Sequence, residues 1–230
     1  MKYYQIDVSA EPKVIGVNNG IYQIEIDRNK ILSDERFDQF MGFFNYKNKD
    51  FWKSQRQAMD FKIPVIEAKL LKKAKVTDMM GYTSRIKFLY KVYSSKYLEI
   101  LKAFNIGNYA CFEVKIENVK EKYYFIYFET ILLEDIDFNE SSVITGHRQH
   151  NDIKYHSVKN KAEYIDFNYN NPLGKFEIIA ISKDYLGKDI ICVQATSLPF
   201  YSERLVDFLL DCGITGLQIG YENSTQLKFV

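Results

Sequence analysis

The chain has 230 residues, enough to bury a sizeable core as one domain or two. Hydrophobic residues make up 47% and charged residues 27%, ordinary globular values that argue against wholesale disorder. The 31 Lys and Arg residues are balanced by 30 Asp and Glu, which argues against a protein that binds nucleic acid through a general positive surplus.

The sequence predicts a cytoplasmic protein that does not associate with membranes. Residues 1–13 alternate in polarity and lack the apolar core of a signal peptide. No run approaches the roughly 20 apolar residues that are needed to cross a bilayer. The three cysteines, Cys111, Cys192 and Cys212, lie far apart in apolar stretches. We expect reduced, buried thiols in a reducing compartment.

The first third of the chain predicts strands with one short helix. Residues 3–8 and 21–26 alternate between apolar and polar side chains, as strands with one buried face do. From Ser33 the sequence predicts a short helix that ends near Gly42. Residues 45–62, which contain the only tryptophan, predict a surface excursion, and a short strand is expected after Pro64.

One sequence segment of 14 residues occurs in two similar copies along the chain. Residues 93–106 read YSSKYLEILKAFNI, and residues 201–214 read YSERLVDFLLDCGI, which aligns without a gap. In each copy a serine can cap a helix. An apolar stripe follows at helical spacing, formed by Tyr97, Ile100, Leu101 and Phe104 in the first copy and by Leu205, Phe208, Leu209 and Cys212 in the second. Strand-like stretches flank both copies, so the sequence predicts a strand–helix–strand unit that is used twice.

The region between the two copies predicts further strands and one long irregular segment. Residues 109–116 alternate in polarity, and residues 123–128 are apolar on both faces, as a covered central strand is. Residues 134–175 form the longest irregular-looking region and hold all three histidines. Residues 176–182 and 190–195 predict two strands of a hairpin that turns at Gly187.

Together these elements predict an α+β fold with a mixed, mostly antiparallel sheet. The strand–helix–strand unit is repeated in the two halves. No Pro-, Gly- or Ser-rich linker separates them, so we expect one compact domain over residues 1–230, with pseudo-repeat halves of about 1–120 and 121–230.

The histidine group is the strongest chemical candidate. His147, His150 and His156 lie within ten residues and could ligate a metal such as zinc. Their spacing matches none of the established zinc signatures, which favours surface histidines that are solvated or hydrogen-bonded. The sequence has no phosphate-binding glycine loop, nucleophile elbow or paired-cysteine site. We therefore expect no catalytic residue and no cofactor.

Four segments carry a resemblance to a known family. They read KVTDMMGY, VYSSKYLEILKAFNI, YYFIYFETILLEDIDFNES and FYSERLVDFLLDCGITGLQI. In this order they resemble a bacterial immunity-protein family from polymorphic toxin loci, formerly known as a domain of unknown function. The resemblance covers roughly residues 75–225, and the positions that match the family pattern are Asp78, Ser94, Tyr123–Tyr127, Asp137, Gly213 and Gly216.

The resemblance implies a non-catalytic protein that binds and blocks a cognate toxin in the cytoplasm of the producing cell. Such a protein works by surface complementarity, with a few aromatic anchors. The residues that we expect to contact the partner lie in the two excursions and are Trp52, Arg148, Tyr155 and Tyr169. Two alternatives stay open: an enzyme that uses the histidines of residues 134–175, or a small-molecule-binding domain with a tyrosine-lined pocket. The sequence indicates neither the toxin's activity nor the oligomeric state.

Overall fold

A computed structural model describes residues 1–20, 22–83, 85–147, 150–222 and 224–230. The strands are β1 (Tyr3–Val8), β2 (Tyr22–Ile26), β3 (Ile66–Leu70), β4 (Met79–Thr83), β5 (Val92–Ser94), β6 (Tyr109–Ile116), β7 (Tyr123–Phe128), β8 (Thr130–Ile131), β9 (Ile136–Thr145), β10 (Lys154–His156), β11 (Lys175–Ile181), β12 (Ile190–Val193), β13 (Phe200–Ser202), β14 (Leu217–Gly220) and β15 (Gln226–Phe229). The helices are α1 (Pro12–Ile15), α2 (Arg28–Leu32), α3 (Asp38–Phe43), α4 (Phe51–Ser54), α5 (Ser95–Lys102), α6 (Lys161–Asn170) and α7 (Glu203–Asp211). Among these described residues, no helix has the length and apolar character that a membrane crossing requires.

The predicted α+β class is confirmed, with three mixed and mostly antiparallel sheets in place of one. The chain forms two compact units that are interleaved in sequence. The barrel unit comprises Asp7–Glu129 and Asp207–Gln218. The two-sheet unit comprises Met1–Ile6, Thr130–Val206 and Ile219–Val230. The expectation of a single domain stays a prediction.

The barrel unit is built on a closed barrel of six strands in the order β2, β3, β6, β7, β5, β4. Pairs β3–β6 and β2–β4 are parallel, and the other four pairs are antiparallel. In β6 the predicted alternation is confirmed, since Ala110, Phe112, Val114 and Ile116 are buried. Almost all of β7 is buried, as its apolar character on both faces predicted. Closure pairs both edges of each strand and so protects them from pairing with other chains.

Aromatic residues from the segment before β3 pack on the barrel core. Phe40 and Phe44 lie with their ring centroids 4.9 and 5.7 Å from that of Phe112 in β6. Phe51, in α4, has only 1% of its surface exposed. The Tyr127 hydroxyl donates to Oε1 of the buried Gln55 at 2.8 Å. The prediction that residues 45–62 are a surface excursion is therefore only partly right: Phe51 and Gln55 are buried, whereas most of the segment is exposed or half-buried. Short helical turns bury single side chains without a readable period.

The two-sheet unit contains the other two sheets. One has the strand order β14, β1, β13, β12, β8, and the other has the order β10, β9, β11, β15. The region of residues 134–175, which looks irregular in sequence, forms β9, β10 and α6. The predicted hairpin of residues 176–182 and 190–195 is wrong: β11 pairs with β9 and β15, whereas β12 pairs with β13 and β8. The two strands lie in different sheets, and each is paired on both sides with other segments of the chain.

The repeated segment has the same local structure in both copies. β5 leads into α5 and β13 leads into α7. The Ser94 hydroxyl accepts from the Tyr97 N–H at 3.1 Å, and the Ser202 hydroxyl accepts from the Leu205 N–H at 3.3 Å. These bonds satisfy N–H groups that a helix start leaves unpaired. The serine caps that the sequence predicted are therefore confirmed in both copies.

The two helices also bury equivalent positions. Those positions are Tyr97, Leu98 and Leu101 in α5, and Leu205, Val206 and Leu209 in α7. The predicted stripes left out Leu98 and Val206 and included four residues that are not buried. Ile100, Phe104 and Cys212 are half-buried, and Phe208 is 44% exposed, so that part of the prediction is wrong in both copies.

Each serine is also bonded to an aspartate that precedes a neighbouring strand. The Ser94 hydroxyl donates to Asp78 Oδ1 at 2.8 Å, and its N–H donates to the Asp78 carbonyl at 2.7 Å. The Ser202 hydroxyl donates to Asp189 Oδ1 at 2.5 Å, and its N–H donates to the Asp189 carbonyl at 2.9 Å. Sequence reasoning singled out Asp78 but missed Asp189, because no local pattern links that residue to Ser202.

The equivalence extends to a third strand in each unit. Tyr93 pairs with Tyr124 of β7, and Tyr201 pairs with Tyr4 of β1. The preceding tyrosine makes the same long-range bond in both: Tyr123 donates to the Thr77 carbonyl at 3.1 Å, and Tyr3 donates to the Lys188 carbonyl at 2.8 Å. The start of the chain thus supplies in one copy the strand that β7 supplies in the other.

The two aspartates are neutralised differently. Asp78 is half-buried and accepts from the N–H and the hydroxyl of Thr215 at 2.8 and 2.7 Å. Asp189 has no exposed surface and accepts two bonds of 2.6 Å from the Arg204 guanidinium. The residue equivalent to Arg204 is Lys96, which instead donates to the Cys212 carbonyl at 2.7 Å.

Arg204→Ala is expected to lower the free energy of unfolding, because it leaves the fully buried Asp189 carboxylate without its guanidinium. Lys96→Ala, at the equivalent position of the repeat, is expected to cost less than about 1 kcal/mol, because it removes one bond at the surface. Urea unfolding of the two variants measures the difference. Asp189→Asn in the Arg204→Ala background should restore part of the loss, since the amide is neutral. Equal costs at the two positions would contradict the assignment.

Candidate partner-binding surface

Helix α6 is firmly capped at its start. The Asn160 side chain accepts from the Glu163 N–H at 3.0 Å. The Glu163 carboxylate in turn accepts from the Lys159 N–H at 2.8 Å. The inner face of α6 buries Tyr164 and Phe167, and the Tyr164 ring centroid lies 4.5 Å from that of Phe176 in β11. Reciprocal capping and aromatic packing together hold α6 on its sheet.

A tight turn follows the end of α6. The Gly174 N–H donates to the Asn171 carbonyl at 2.8 Å, which closes the turn. A Cβ atom at position 174 would lie 2.3 Å from the Phe167 ring, so only glycine fits there. Pro172 restricts the backbone of the same turn. Leu173 is therefore held outward on a rigid support.

Three large apolar side chains stand exposed on α6 and this turn, and we call them the α6 ridge. Ile165 is 54% exposed, Tyr169 is 85% exposed and Leu173 is 88% exposed. Ile165 and Tyr169 are neighbours on the outer face because they are one helical turn apart. Grouped apolar side chains at a surface are typical of interaction sites, and tyrosine is a preferred anchor. The ridge can bind a partner by excluding water from these three side chains.

Sequence analysis identified only Tyr169 of the ridge. Ile165 and Leu173 were missed, although two signals could have found them. Ile165 precedes Tyr169 by four positions in a segment that also carries the inward-facing Tyr164 and Phe167. Leu173 follows a proline in a turn sequence, where an apolar side chain has no neighbouring helix to cover it.

The other expected contact residues are not gathered into one place by the described structure. Tyr155 is 66% exposed on β10. Trp52 is half-buried on α4, with its ring centroid 5.1 Å from that of Phe51. Arg148 lies outside the described residues. That these residues contact a partner stays a prediction.

The three histidines do not form one cluster. The ring centroids of His147 and His150 are 5.8 Å apart on an exposed loop. The His147 N–H donates to the Asp152 carboxylate at 2.6 Å, and this bond lowers the pKa of Asp152. His156 lies apart from them on β10: its Nε2 is 2.8 Å from the Thr145 hydroxyl, and its ring packs on Phe167. Within the described residues, no three His, Cys, Asp or Glu side chains are grouped to hold a metal ion.

A concave site of about 300 Å³ lies beside His147. Its lining includes charged side chains of both signs, Lys175 and Glu177 from β11 and Glu222 from the connection between β14 and β15. Ile144 and Phe176 form apolar parts of its wall. This volume suits one side chain or a small polar molecule, and the residues offer binding contacts in place of a nucleophile with an adjacent base.

A larger groove of about 870 Å³ runs along the outer wall of the barrel. Its charges are compensated internally. Lys69 forms an ion pair with Glu25 at 3.1 Å, and Lys30 forms one with Glu67. A surface whose charges are already paired in solvent gains little from a charged partner.

No protein-family model matches this chain, and the curated proteins contain no match to it. Function is therefore inferred from the surface chemistry and from the resemblance over residues 75–225.

Cys111 is expected to react slowly in the folded protein. Burial raises the pKa of its thiol to about 11, an effect that Lys102 partly opposes, so the nucleophilic thiolate is scarce at pH 8 and increases as the pH approaches that value. An aromatic disulfide reagent should show one slow thiol, and this phase should disappear in Cys111→Ser but persist in Cys212→Ser. The unfolded protein should give three thiols, since no disulfide joins any of the three cysteines. A lower count, or a fast Cys111, would refute this expectation.

His156→Ala is expected to lower the free energy of unfolding by about 1–2 kcal/mol, because it removes both a hydrogen bond and an aromatic contact. His150→Ala, on the exposed loop, should stay within about 0.5 kcal/mol of the wild type. Urea unfolding compares the two. If added zinc stabilised the wild type but not His147→Ala, the metal interpretation of the histidines would replace this one.

Proposed function

We propose that this protein binds and neutralises a cognate bacterial toxin in the cytoplasm of the cell that makes it, without catalysing a reaction. The observation that carries the proposal is the α6 ridge, in which Ile165, Tyr169 and Leu173 are exposed on a firmly held helix and turn. Leaving such side chains in water is unfavourable, and a partner that covers them recovers this free energy.

The ridge can supply a useful part of the affinity that an immunity protein needs. Nanomolar binding corresponds to about −12 kcal/mol. Burial of one large apolar side chain contributes about 1.5–3 kcal/mol, and a few such anchors dominate most interfaces. Because α6 and its turn are already ordered, little conformational entropy is lost on binding.

The resemblance to immunity proteins supports the proposal from a different direction. Two of the positions that match the family pattern are Asp78 and Ser94, whose hydrogen bond joins the residue before β4 to the start of α5 in the barrel unit. Another, Gly216, has a φ of +84°, and an added Cβ would lie 2.3 Å from the Met79 carbonyl oxygen. These residues maintain the scaffold, and a shared scaffold leaves the surface free to suit different toxins.

The alternative function is an enzyme or a small-molecule-binding domain with its site in residues 134–175. The concave site beside His147 favours this alternative, because it is enclosed enough for a small polar ligand. Its lining lies apart from Ile165, Tyr169 and Leu173, so variants of the ridge separate the two functions.

Tyr169→Ala is expected to weaken binding of the toxin domain encoded by the neighbouring gene by about 30-fold, the effect of losing one anchor of about 2 kcal/mol. Leu173→Ala should have a similar effect. Leu186→Ala is the matched control, since Leu186 is another leucine of the same unit and is 55% exposed. Calorimetry of the purified pair measures the affinities, and survival of cells that co-express both proteins measures protection.

Three results would count against the proposal. Cells that die despite ample protein, with no complex on gel filtration, would reject the immunity function. If Tyr169→Ala, Leu173→Ala and Leu186→Ala all bind the toxin domain as tightly as the wild type does, the function would stand but the ridge would be rejected as its contact. Protection that needs the lining residue Lys175 and not the ridge would favour the concave site.

A further inference from the structure

The turn between β4 and β5 carries an unusual backbone conformation. Phe88 has a φ of +66°, in the left-handed region. It occupies the third position of a four-residue turn, which the Leu89 N–H closes by donating to the Ile86 carbonyl at 3.2 Å. Glycine or asparagine is the ordinary residue at such a position, because a Cβ atom is strained there. A phenylalanine in this conformation must be held by its surroundings, and such residues are concentrated at functional sites.

Tyr82 holds the turn from inside the barrel. Its hydroxyl accepts from the Ile86 N–H at 2.9 Å and donates to the Leu89 carbonyl. The side chain is 1% exposed, and this burial raises the pKa of its phenol, which therefore keeps the proton that it donates. The backbone around Phe88 is consequently rigid.

The Phe88 ring is fixed between aromatic and cationic neighbours. It stacks on Phe51 at 3.8 Å between centroids, and Trp52 meets it edge-on at 4.8 Å. The Lys87 ammonium lies 4.9 Å from the centroid of the same ring. Phe51 thus covers one face of the ring, and the Lys87 ammonium lies within cation–π distance of it.

Positive charge is concentrated in the two segments that carry Trp52 and Phe88. Residues 45–62 contain five Lys or Arg and two Asp, and residues 85–91 contain three Lys or Arg and no acid, in a chain of net charge +1. Two of these cations are already paired, Arg56 with Glu129 and the buried Lys91 with Asp7. Lys53, Arg85 and Lys87 are exposed, and none of them forms an ion pair with a carboxylate within the residues that the structure describes. The outer wall of the same barrel differs, because its lysines are paired with glutamates.

We call this surface the barrel-end platform, formed by Trp52, Lys53, Arg85, Lys87 and Phe88. We propose that the barrel-end platform binds an acidic face of the toxin. This inference rests on the proposed function and adds the charge of the partner surface. The fixed rings supply an apolar centre, and the surrounding cations attract carboxylates and accelerate encounter.

A protein partner fits this surface better than a single-stranded nucleic acid does. Bases stack on open aromatic faces. The Phe88 ring already stacks on Phe51 and has the Lys87 ammonium close by, and the Trp52 ring is set edge-on against it. Carboxylate side chains need no open ring face and can reach the lysine and arginine heads directly.

Lys53→Glu and Lys87→Glu test the proposal. Each is expected to slow association with the purified toxin domain about tenfold at roughly 0.05 M salt, with little change in the dissociation rate. At about 0.5 M salt the difference from the wild type should shrink, because the charges are screened. Lys115→Glu is the control: it makes the same charge change on the outer barrel wall, where Lys115 pairs across strands with Glu67. Its association rate should stay within about twofold of the wild type.

The possible outcomes separate the two proposals. If the wild type forms no complex, the proposed function and the platform contact are both overturned. If a complex forms and the platform variants associate like Lys115→Glu at low salt, the platform contact alone is overturned. Saturable binding of a 20-nucleotide single strand that Lys87→Glu abolishes, together with unchanged toxin association, would also overturn it in favour of a nucleic-acid site. Circular dichroism confirms that each variant is folded.

Discussion

A single aspartate–serine pair organises each half of this molecule. The serine hydroxyl donates to the carboxylate of Asp78 or Asp189 and at the same time accepts from an N–H at the start of α5 or α7. The serine N–H donates to the carbonyl of the same aspartate. The strand register and the first turn of the helix are therefore fixed together, since neither can shift by one residue without breaking both bonds.

The aspartate of this aspartate–serine pair is stabilised differently in the two copies. Asp78 keeps some contact with solvent and receives neutral donors from Thr215, whereas Asp189 is fully buried and receives a guanidinium. This difference follows burial, because a carboxylate removed from water requires a stronger compensating charge. Each unit thereby has its own rigid base. The α6 ridge is held separately, by the packing of Tyr164 on Phe176, and the barrel-end platform by the bonds of Tyr82 to the Phe88 turn.

Local patterns in the sequence were reliable where the physical cause is itself local. The serine cap of α5 involves residues three positions apart, and the alternation of β6 follows from the strand period of two. The repeated segment could be recognised in the sequence because its serine cap and apolar spacing also involve only neighbouring residues. Interpretation failed where the partner lies far along the chain. Residues 176–195 look like a hairpin, but β12 is paired with β13, and Asp189 bonds to Ser202. Residues 45–62 look like a surface excursion, yet Phe51 of α4 packs in the barrel core.

The sequence by itself determined the α+β class, the serine-capped helices and their equivalence in two copies, because periodicity and capping depend on residues within one or two turns. Only the tertiary structure decided that β1 completes the second copy, that Tyr82 holds Phe88 in a left-handed conformation, and that Ile165, Tyr169 and Leu173 are exposed together. Each of these depends on which segments, distant or neighbouring in sequence, exclude water from one another. No short-range pattern encodes that choice, since it is made by the packing of the whole unit.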